Sequence, residues 1–146
     1  QEIWDDTGGQ VDVLVATVGT GGTLCGTARG LKAYNPQLLS IAVEPQESPL
    51  LSGGKASPHG IQGIGANFVP QNYDPNVVDR IMPVSTEQAM RVARELSHHE
   101  GLIVGISSGA AIHAALQLAL TPEAQGKCIV AVLPDTGERY LSTGVY

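Results

Sequence analysis

Short apolar runs alternate along the chain with longer segments whose apolar residues recur at helical spacing. Four of the runs have the length and the β-branched content of buried strands, and they span residues 11–18, 39–43, 77–84 and 128–133. Each of the first three is followed by turn residues or a helix-compatible stretch. The pattern therefore predicts an α/β protein built on buried strands.

Helices are predicted between these strands. Residues 24–34 end at an Asn-Pro pair, Ser85 and Gln88 have the spacing of a capping box, and a helix rich in small residues follows Ser107 and Ser108 and ends at Leu120. A helix between two strands gives a βαβ unit, in which the strands are parallel. We expect a parallel, Rossmann-like sheet flanked by helices, in a single domain over residues 1–146.

The first strand runs directly into a glycine-threonine loop made of Gly19, Thr20, Gly21, Gly22 and Thr23. Glycines let the backbone turn sharply, so that successive amide groups converge on one concavity. The loop also opens a helix, whose N-terminus favours negative charge. Since the two threonines add hydroxyl donors, we predict a phosphate site at the carboxyl end of this strand.

Three other interpretations of the loop are considered. A nucleoside triphosphate site needs a lysine followed by Ser or Thr after the last glycine, and neither is present. A dinucleotide fingerprint needs a third glycine where Leu24 stands, although Glu44 occupies the place of a ribose-binding acid. An ordinary strand-to-helix turn is the third. A pocket for a phosphate monoester is the leading hypothesis, and the dinucleotide site is a weak rival.

Two later segments also attract interest. Residues 60–68 (GIQGIGANF) are too apolar for a disordered linker and too rich in glycine for a regular element. They are predicted to form an ordered loop over which another part of the protein closes, with a surface Ω-loop as the alternative. His59, just before them, is given no role. Ser107 and Ser108 precede the last helix, where either could be an N-cap.

Composition narrows the functional classes. The chain has 146 residues and a formal net charge of −6, with scattered basic residues, one Trp and one Phe, which argues against nucleic-acid binding. Cys25 and Cys128 are expected to be reduced core residues, and no His or Cys has metal-ligand spacing. There is no signal peptide or long apolar span, so a cytoplasmic protein without membrane contact is expected.

Four motifs occur in a specific order: GTGGT at 19–23, IQGIGA at 61–66, GISSGAA at 105–111 and GERYLST at 137–143. Together they resemble the cysteine synthases (O-acetylserine sulfhydrylases), which are fold-type II enzymes that depend on pyridoxal 5′-phosphate. The similarity covers nearly the whole chain. It departs from the family at Asn67, where another glycine is usual.

The resemblance implies a role for each matching residue. Gly19, Thr20, Gly21, Gly22 and Thr23 would hold the cofactor phosphate, and Ser107 would hydrogen-bond the pyridine nitrogen. Gly63, Ile64 and Gly65 would border the substrate pocket. A hydroxyl does not hold the ring nitrogen protonated, so the ring would be a moderate electron sink, suited to loss of a leaving group from the β-carbon.

The family reaction is β-replacement, in which sulfide displaces acetate from O-acetylserine to give cysteine. The family lysine that binds the cofactor lies in a Ser-x-Lys-Asp-Arg-like motif of the N-terminal half, and a Ser/Thr-Gly-Asn loop there binds the substrate carboxylate. Neither pattern occurs here; the lysines are Lys32, Lys55 and Lys127. The chain is expected to be a C-terminal half that contains no catalytic residue, is inactive alone and forms a homodimer when complete.

Two alternatives to this function stay open. One is the corresponding half of a relative such as cystathionine β-synthase or a serine/threonine dehydratase, for which the GERY sequence is less typical. The other is a non-catalytic binding module. By resemblance, that module would bind the C-terminal tail of serine acetyltransferase.

Overall fold

Parallel strands form the centre of the structure, a computed structural model that describes residues 1–146. They are β1 (Val11–Thr17), β2 (Leu39–Pro45), β3 (Arg80–Val84) and β4 (Cys128–Ala131). The strand order is β3-β2-β1-β4, and every neighbouring pair is parallel. The chain thus moves outward from β1 to β3 and then returns to the other side of β1. The predicted parallel α/β sheet is confirmed.

Helices cover both faces of this sheet. They are α1 (Glu2–Asp6), α2 (Gly22–Tyr34), α3 (Thr86–Glu95) and α4 (Ile106–Ala119). Leu14 and Ala16 of β1 share one apolar layer with α2, while Val13 and Val15 share the other with α3 and α4. Because successive side chains of a strand point to opposite faces, β1 is buried on both sides. It is the most enclosed element of the fold.

The predicted capping box at the start of α3 is present. Ser85 Oγ accepts the backbone N–H of Gln88 at 3.2 Å, and Gln88 Oε1 accepts the backbone N–H of Ser85 at 3.0 Å. These two bonds satisfy amide donors that a helix leaves free at its first turn. One wider turn, Leu96–Glu100, follows α3 before the chain reaches Gly101.

Several element boundaries differ from the prediction. The third strand begins at Arg80 because Pro75–Val77 forms a tight helical turn, and the fourth ends at Ala131 rather than at residue 133. The short helix α1 was not predicted; Trp4 on it stacks against the ring of Tyr34 with a centroid distance of 4.9 Å. Aromatic stacking thus holds a segment whose sequence suggests only turns.

The cysteines are both free thiols, as expected. Cys25 is buried on α2, and its Sγ accepts the backbone N–H of Asp74 at 3.3 Å. Cys128 is only half-buried, because β4 lies at the edge of the sheet; its placement in the core was wrong. None of the helices has the length and apolar character required to cross a bilayer.

Replacement of Gly109 is expected to destabilise the fold. Gly109 lies where α4 meets α3, and a Cβ there would overlap the carbonyl oxygen of Ala89 and lie 2.9 Å from Ala93 N. We expect Gly109→Ala to lower the free energy of unfolding by about 1–3 kcal/mol, since overpacking displaces the helices. Chemical denaturation measures the change.

The matched control is Gly26→Ala on α2, where a Cβ would have no neighbour within 4 Å. Alanine has the higher helix propensity, so this variant should be more stable than the original chain by about 0.5–1 kcal/mol. Equal effects at the two positions would contradict the packing described for α3 and α4.

Candidate functional site

A cleft of about 380 Å³ opens at the carboxyl ends of β1 and β4. The strand order reverses between these two strands, which is where open α/β sheets bind their ligands. The cleft is lined by the end of β1 with the start of α2, by a loop around Gly63, by the start of α4, and by the segment that follows β4: Thr17, Gly19, Thr20, Gly21, Thr23, Gln62, Gly63, Ile64, Ser107, Pro134, Asp135, Arg139 and Tyr140.

Two glycines of the glycine-threonine loop are required by their surroundings. Gly21 is the N-cap of α2 and has a left-handed backbone, with φ of 85°. A Cβ at this position would also lie 2.8 Å from the backbone nitrogen of Tyr73. A Cβ at Gly19 would overlap the carbonyl oxygen of Gly63. The loop is therefore packed from behind by the segment 63–73, and its backbone can approach a ligand closely.

The first turn of α2 leaves its amides free towards the cleft. The first bond inside the helix runs from the Cys25 N–H to the Gly21 carbonyl at 3.0 Å, so the amides of Thr20, Gly21 and Thr23 have no partner within the chain. The amide of Gly22 makes only a 3.5 Å contact with Thr20 Oγ1. Free amides at the positive end of a helix dipole bind phosphate without a basic side chain.

Ser107 lies at the second position of α4 and is buried, with 3 % of its surface exposed. The N-cap of α4 is Gly105, which makes no side-chain capping bond, so the interpretation of Ser107 or Ser108 as an N-cap is wrong. Ser108 instead donates its hydroxyl to the Asp135 carbonyl at 3.4 Å. The hydroxyl of Ser107 has no hydrogen-bond partner within the chain and lines the cleft, so it is available to a ligand.

A carboxyl-hydroxyl pair, not predicted from the sequence, lines the cleft together with Ser107. Tyr140 donates its hydroxyl to Asp135 Oδ2 at 2.6 Å. Burial, followed by the hydrogen bond and the charge of Asp135, raises the pKa of Tyr140 to about 12, so this hydroxyl keeps its proton. Asp135 Oδ1 is buried without a partner. Asp135 lies in the segment after β4, the strand beside β1, and its place shortly after the fourth apolar run was the signal that could have indicated it.

Two of the predicted residues lie outside the cleft. Gly22 borders a separate surface depression beside Arg29 and Tyr73. Gly65 lies behind the loop, where its carbonyl accepts from His59 Nε2 at 3.1 Å. The other predicted positions, from both glycine-rich segments and from the start of α4, are brought together in the cleft.

Glu44, the candidate ribose-binding acid, is fully engaged elsewhere. Its buried carboxylate accepts the backbone N–H groups of Leu51 at 2.8 Å and Ser52 at 3.1 Å, and also the Ser52 hydroxyl. These bonds fix the loop that follows β2. Glu44 does not line the cleft, so nothing at this position supports the dinucleotide interpretation.

Comparisons with known proteins agree with this architecture. The family of pyridoxal-phosphate dependent enzymes matches residues 1–135. The cysteine synthase of Haemophilus influenzae is 49 % identical, over 99 % of this chain and 48 % of the relative. The crystal structure of O-acetyl serine sulfhydrylase isoform 3 from Entamoeba histolytica superposes with a TM-score of 0.98 at 51 % identity, over 99 % of this chain and 43 % of that one.

A second solved structure has O-acetylserine in its name but a different product, cystathionine. It is the O-acetylserine dependent cystathionine beta-synthase from Helicobacter pylori, with a TM-score of 0.91 and 42 % identity over 99 % of this chain and 47 % of that one. The chain thus spans about half the length of the relatives that it matches. The family and its cofactor, pyridoxal phosphate, are as predicted. The chain belongs to the pyridoxal-phosphate dependent enzymes.

Proposed function

We propose that this chain is the cofactor-binding half of a cysteine synthase, which uses O-acetylserine and sulfide to make cysteine and acetate. The observation that carries the proposal is one cleft in which unbonded amides of α2 and the unbonded hydroxyl of Ser107 both take part. The first group suits a phosphate monoester, and the second suits a ring nitrogen. Pyridoxal phosphate contains both.

The phosphate end would be held by the loop from Gly19 to Thr23. The amides of this loop donate hydrogen bonds, and the hydroxyls of Thr20 and Thr23 add two further donors. Since glycine stands at 19 and 21, the segment 63–73 packs directly against the loop and holds its amides in place. Charge is balanced by the dipole of α2, a helix of 13 residues.

The ring end would be held by Ser107. A serine hydroxyl donates to an unprotonated ring nitrogen but cannot hold it in the protonated form as a carboxylate would. When bound, pyridoxal phosphate supplies the electron sink for loss of a leaving group at the β-carbon of an amino acid. Because Ser107 would leave the ring nitrogen unprotonated, the ring would withdraw electrons only moderately.

The remaining cleft residues would form the substrate side. Gln62, Gly63 and Ile64 provide one wall, and Tyr140 provides another; its hydroxyl proton is donated to Asp135 Oδ2, and its raised pKa prevents it from acting as a base near neutral pH. The exposed guanidinium of Arg139 is the cation among the lining residues, and it makes no ion pair within the chain. It gives the mouth of the cleft an affinity for anionic substrates.

The amine base for this reaction is proposed to come from outside the chain. Lys32 pairs with Asp79 at 2.6 Å, and Lys127 lies 3.9 Å from Asp12, far along the fold from the cleft residues. Lys55 is exposed on the segment after β2. None of them lines the cleft.

We therefore expect the chain alone to bind pyridoxal phosphate, but not to convert O-acetylserine and sulfide into cysteine. Equilibrium dialysis measures the binding, and an assay for cysteine measures the turnover. Co-expression with the N-terminal half of the Haemophilus influenzae relative should restore turnover, with sulfide preferred over homocysteine. Turnover by the chain alone would contradict the proposed source of the base, and failure to bind the cofactor would contradict the proposal itself.

Removal of both loop hydroxyls tests the phosphate assignment. Thr20→Val combined with Thr23→Val should raise the dissociation constant for pyridoxal phosphate at least about tenfold, since hydrogen bonds to charged groups contribute about 1.5–3 kcal/mol each. Thr27→Val, one turn further along α2, is the matched control and should bind normally. Unchanged affinity in the double variant would contradict the assignment of the phosphate site to this loop.

The role of Ser107 is tested by a pair of neighbouring substitutions. Ser107→Ala should leave the melting temperature unchanged, because no bond within the chain is lost, but weaken pyridoxal phosphate binding by about fivefold. Ser108→Ala should leave binding unchanged and affect only stability, through its bond to Asp135. Ser107→Asp should in addition protonate the ring and shift the absorption spectrum of the bound cofactor. A normal spectrum and normal affinity in both Ser107 variants would exclude contact with the ring.

A further inference from the structure

The cleft wall formed by Gln62, Gly63 and Ile64 belongs to no helix or strand. Ile61 and Ile64 are buried in the apolar layer beneath it, and the Gly65 N–H donates to the Val18 carbonyl at 3.2 Å. These contacts attach the loop to the sheet, but none of them joins Ile61 to Gly65; a connection between these two residues requires another group.

His59 is that group. The backbone N–H of Ile61 donates to His59 Nδ1 at 3.2 Å, and His59 Nε2 lies 3.1 Å from the carbonyl oxygen of Gly65. A backbone N–H can only donate, and a carbonyl can only accept. The ring is therefore neutral, with its proton on Nε2 and a lone pair on Nδ1. One imidazole closes the arc from residue 61 to residue 65.

The backbone next to His59 is also held in place. Gly60, next to His59, donates its backbone N–H to Thr86 Oγ1 at 2.9 Å, and the backbone N–H of Thr86 donates to Glu47 Oε1 at 2.8 Å. Thr86 is the first residue of α3. A side chain at Gly65 would lie 2.6 Å from His59 Nε2, so the ring lies directly on the backbone of the loop. The arc is thus attached to a helix that packs on the sheet.

The segment from Ile61 to Gly65 also contacts the glycine-threonine loop. The Gly63 carbonyl lies against the Cα of Gly19, where a Cβ would overlap it. A change in the path of the arc would therefore change both the wall at Gly63 and the support behind Gly19.

We propose that His59 is a positioning residue, which in its neutral, Nε2-protonated form sets the loop Ile61–Gly65 into the shape that completes the cleft. Its ligand-binding consequence rests on the proposed function. The tautomer of His59 and the stability of the loop hydrogen bonds do not depend on that function, and both can be measured without a ligand.

Three substitutions at His59 separate the roles of the two ring nitrogens. In His59→Asn, the side-chain oxygen occupies the place of Nδ1 and preserves the acceptor for Ile61. In His59→Gln, the side-chain nitrogen reaches the place of Nε2 and preserves the donor to Gly65, and His59→Ala removes both. His99→Ala, at an exposed histidine in the turn after α3, is the control.

The first measurements use the 146-residue chain without ligand. Nitrogen-15 NMR should show His59 protonated at Nε2 and not at Nδ1. Hydrogen exchange at the Ile61 amide should become at least about tenfold faster in His59→Ala and His59→Gln, and stay slow in His59→Asn and His99→Ala. A ring protonated at Nδ1 would overturn the proposal, and so would an Ile61 amide that exchanges equally in all variants.

The second measurement is the affinity for pyridoxal phosphate, with the melting temperature recorded alongside. We expect about a tenfold loss in His59→Ala, from two lost hydrogen bonds, and a smaller loss in His59→Asn and His59→Gln. Equal losses in all three variants would reveal a packing role and overturn the positioning role. If the unaltered chain does not bind pyridoxal phosphate, the proposed function fails, while the tautomer and the exchange rates still decide the role of His59.

Discussion

The close approach of Gly19 to the Gly63 carbonyl is the contact on which the cleft depends. It brings the loop after β1 and the loop from Ile61 to Gly65 into one layer, and the bond from the Gly65 N–H to the Val18 carbonyl holds them there. Both partners are backbone, so no side chain can adjust to relieve a misfit. Since β1 is buried on both faces, the layer is built on the most rigid part of the fold. The glycines thus bring backbone amides within reach of a ligand and also keep that backbone in place.

The same layer keeps polar groups without partners. The exposed first amides of α2 and the hydroxyl of the buried Ser107 lack hydrogen bonds within the chain, and both are open to a ligand in the cleft. Asp135 Oδ1 is also unpaired, but it is fully covered and lies against Gly105. The concentration of unpaired groups in one cleft, while Ser108, Glu44 and Tyr140 are fully engaged around it, distinguishes the binding surface from its support. This contrast is physical evidence for a polar ligand, independent of any likeness to relatives.

The sheet, its parallel order and the capping box of α3 could be predicted, because each leaves a local pattern: a buried apolar run, a helix between strands, or a Ser and a Gln at fixed spacing. The cleft walls at Gly19, Gly63 and Ser107 could be placed through motifs. The pairing of Tyr140 with Asp135 could not, since it depends on a turn whose geometry has no periodic signal. His59 also had no assigned role. Its two hydrogen-bond partners are backbone groups, which every residue has, so no pattern in the sequence indicates them. Helix α1 was missed because Trp4 is held by Tyr34, which is distant in sequence.

The topology also explains how an acidic chain can hold an anion at the glycine-threonine loop, which contains no basic side chain. In a parallel sheet every crossover helix runs opposite to the strands, so all helix N-termini lie at the carboxyl edge. Helix α2 covers one face and α4 covers the other, and the reversal of strand order beside β1 leaves a gap between their first turns. Thr23 and Ser107, each at the second position of its helix, therefore border the same cleft from opposite faces. Two helix dipoles converge there, and their positive ends attract negative charge that the net charge of −6 would otherwise repel.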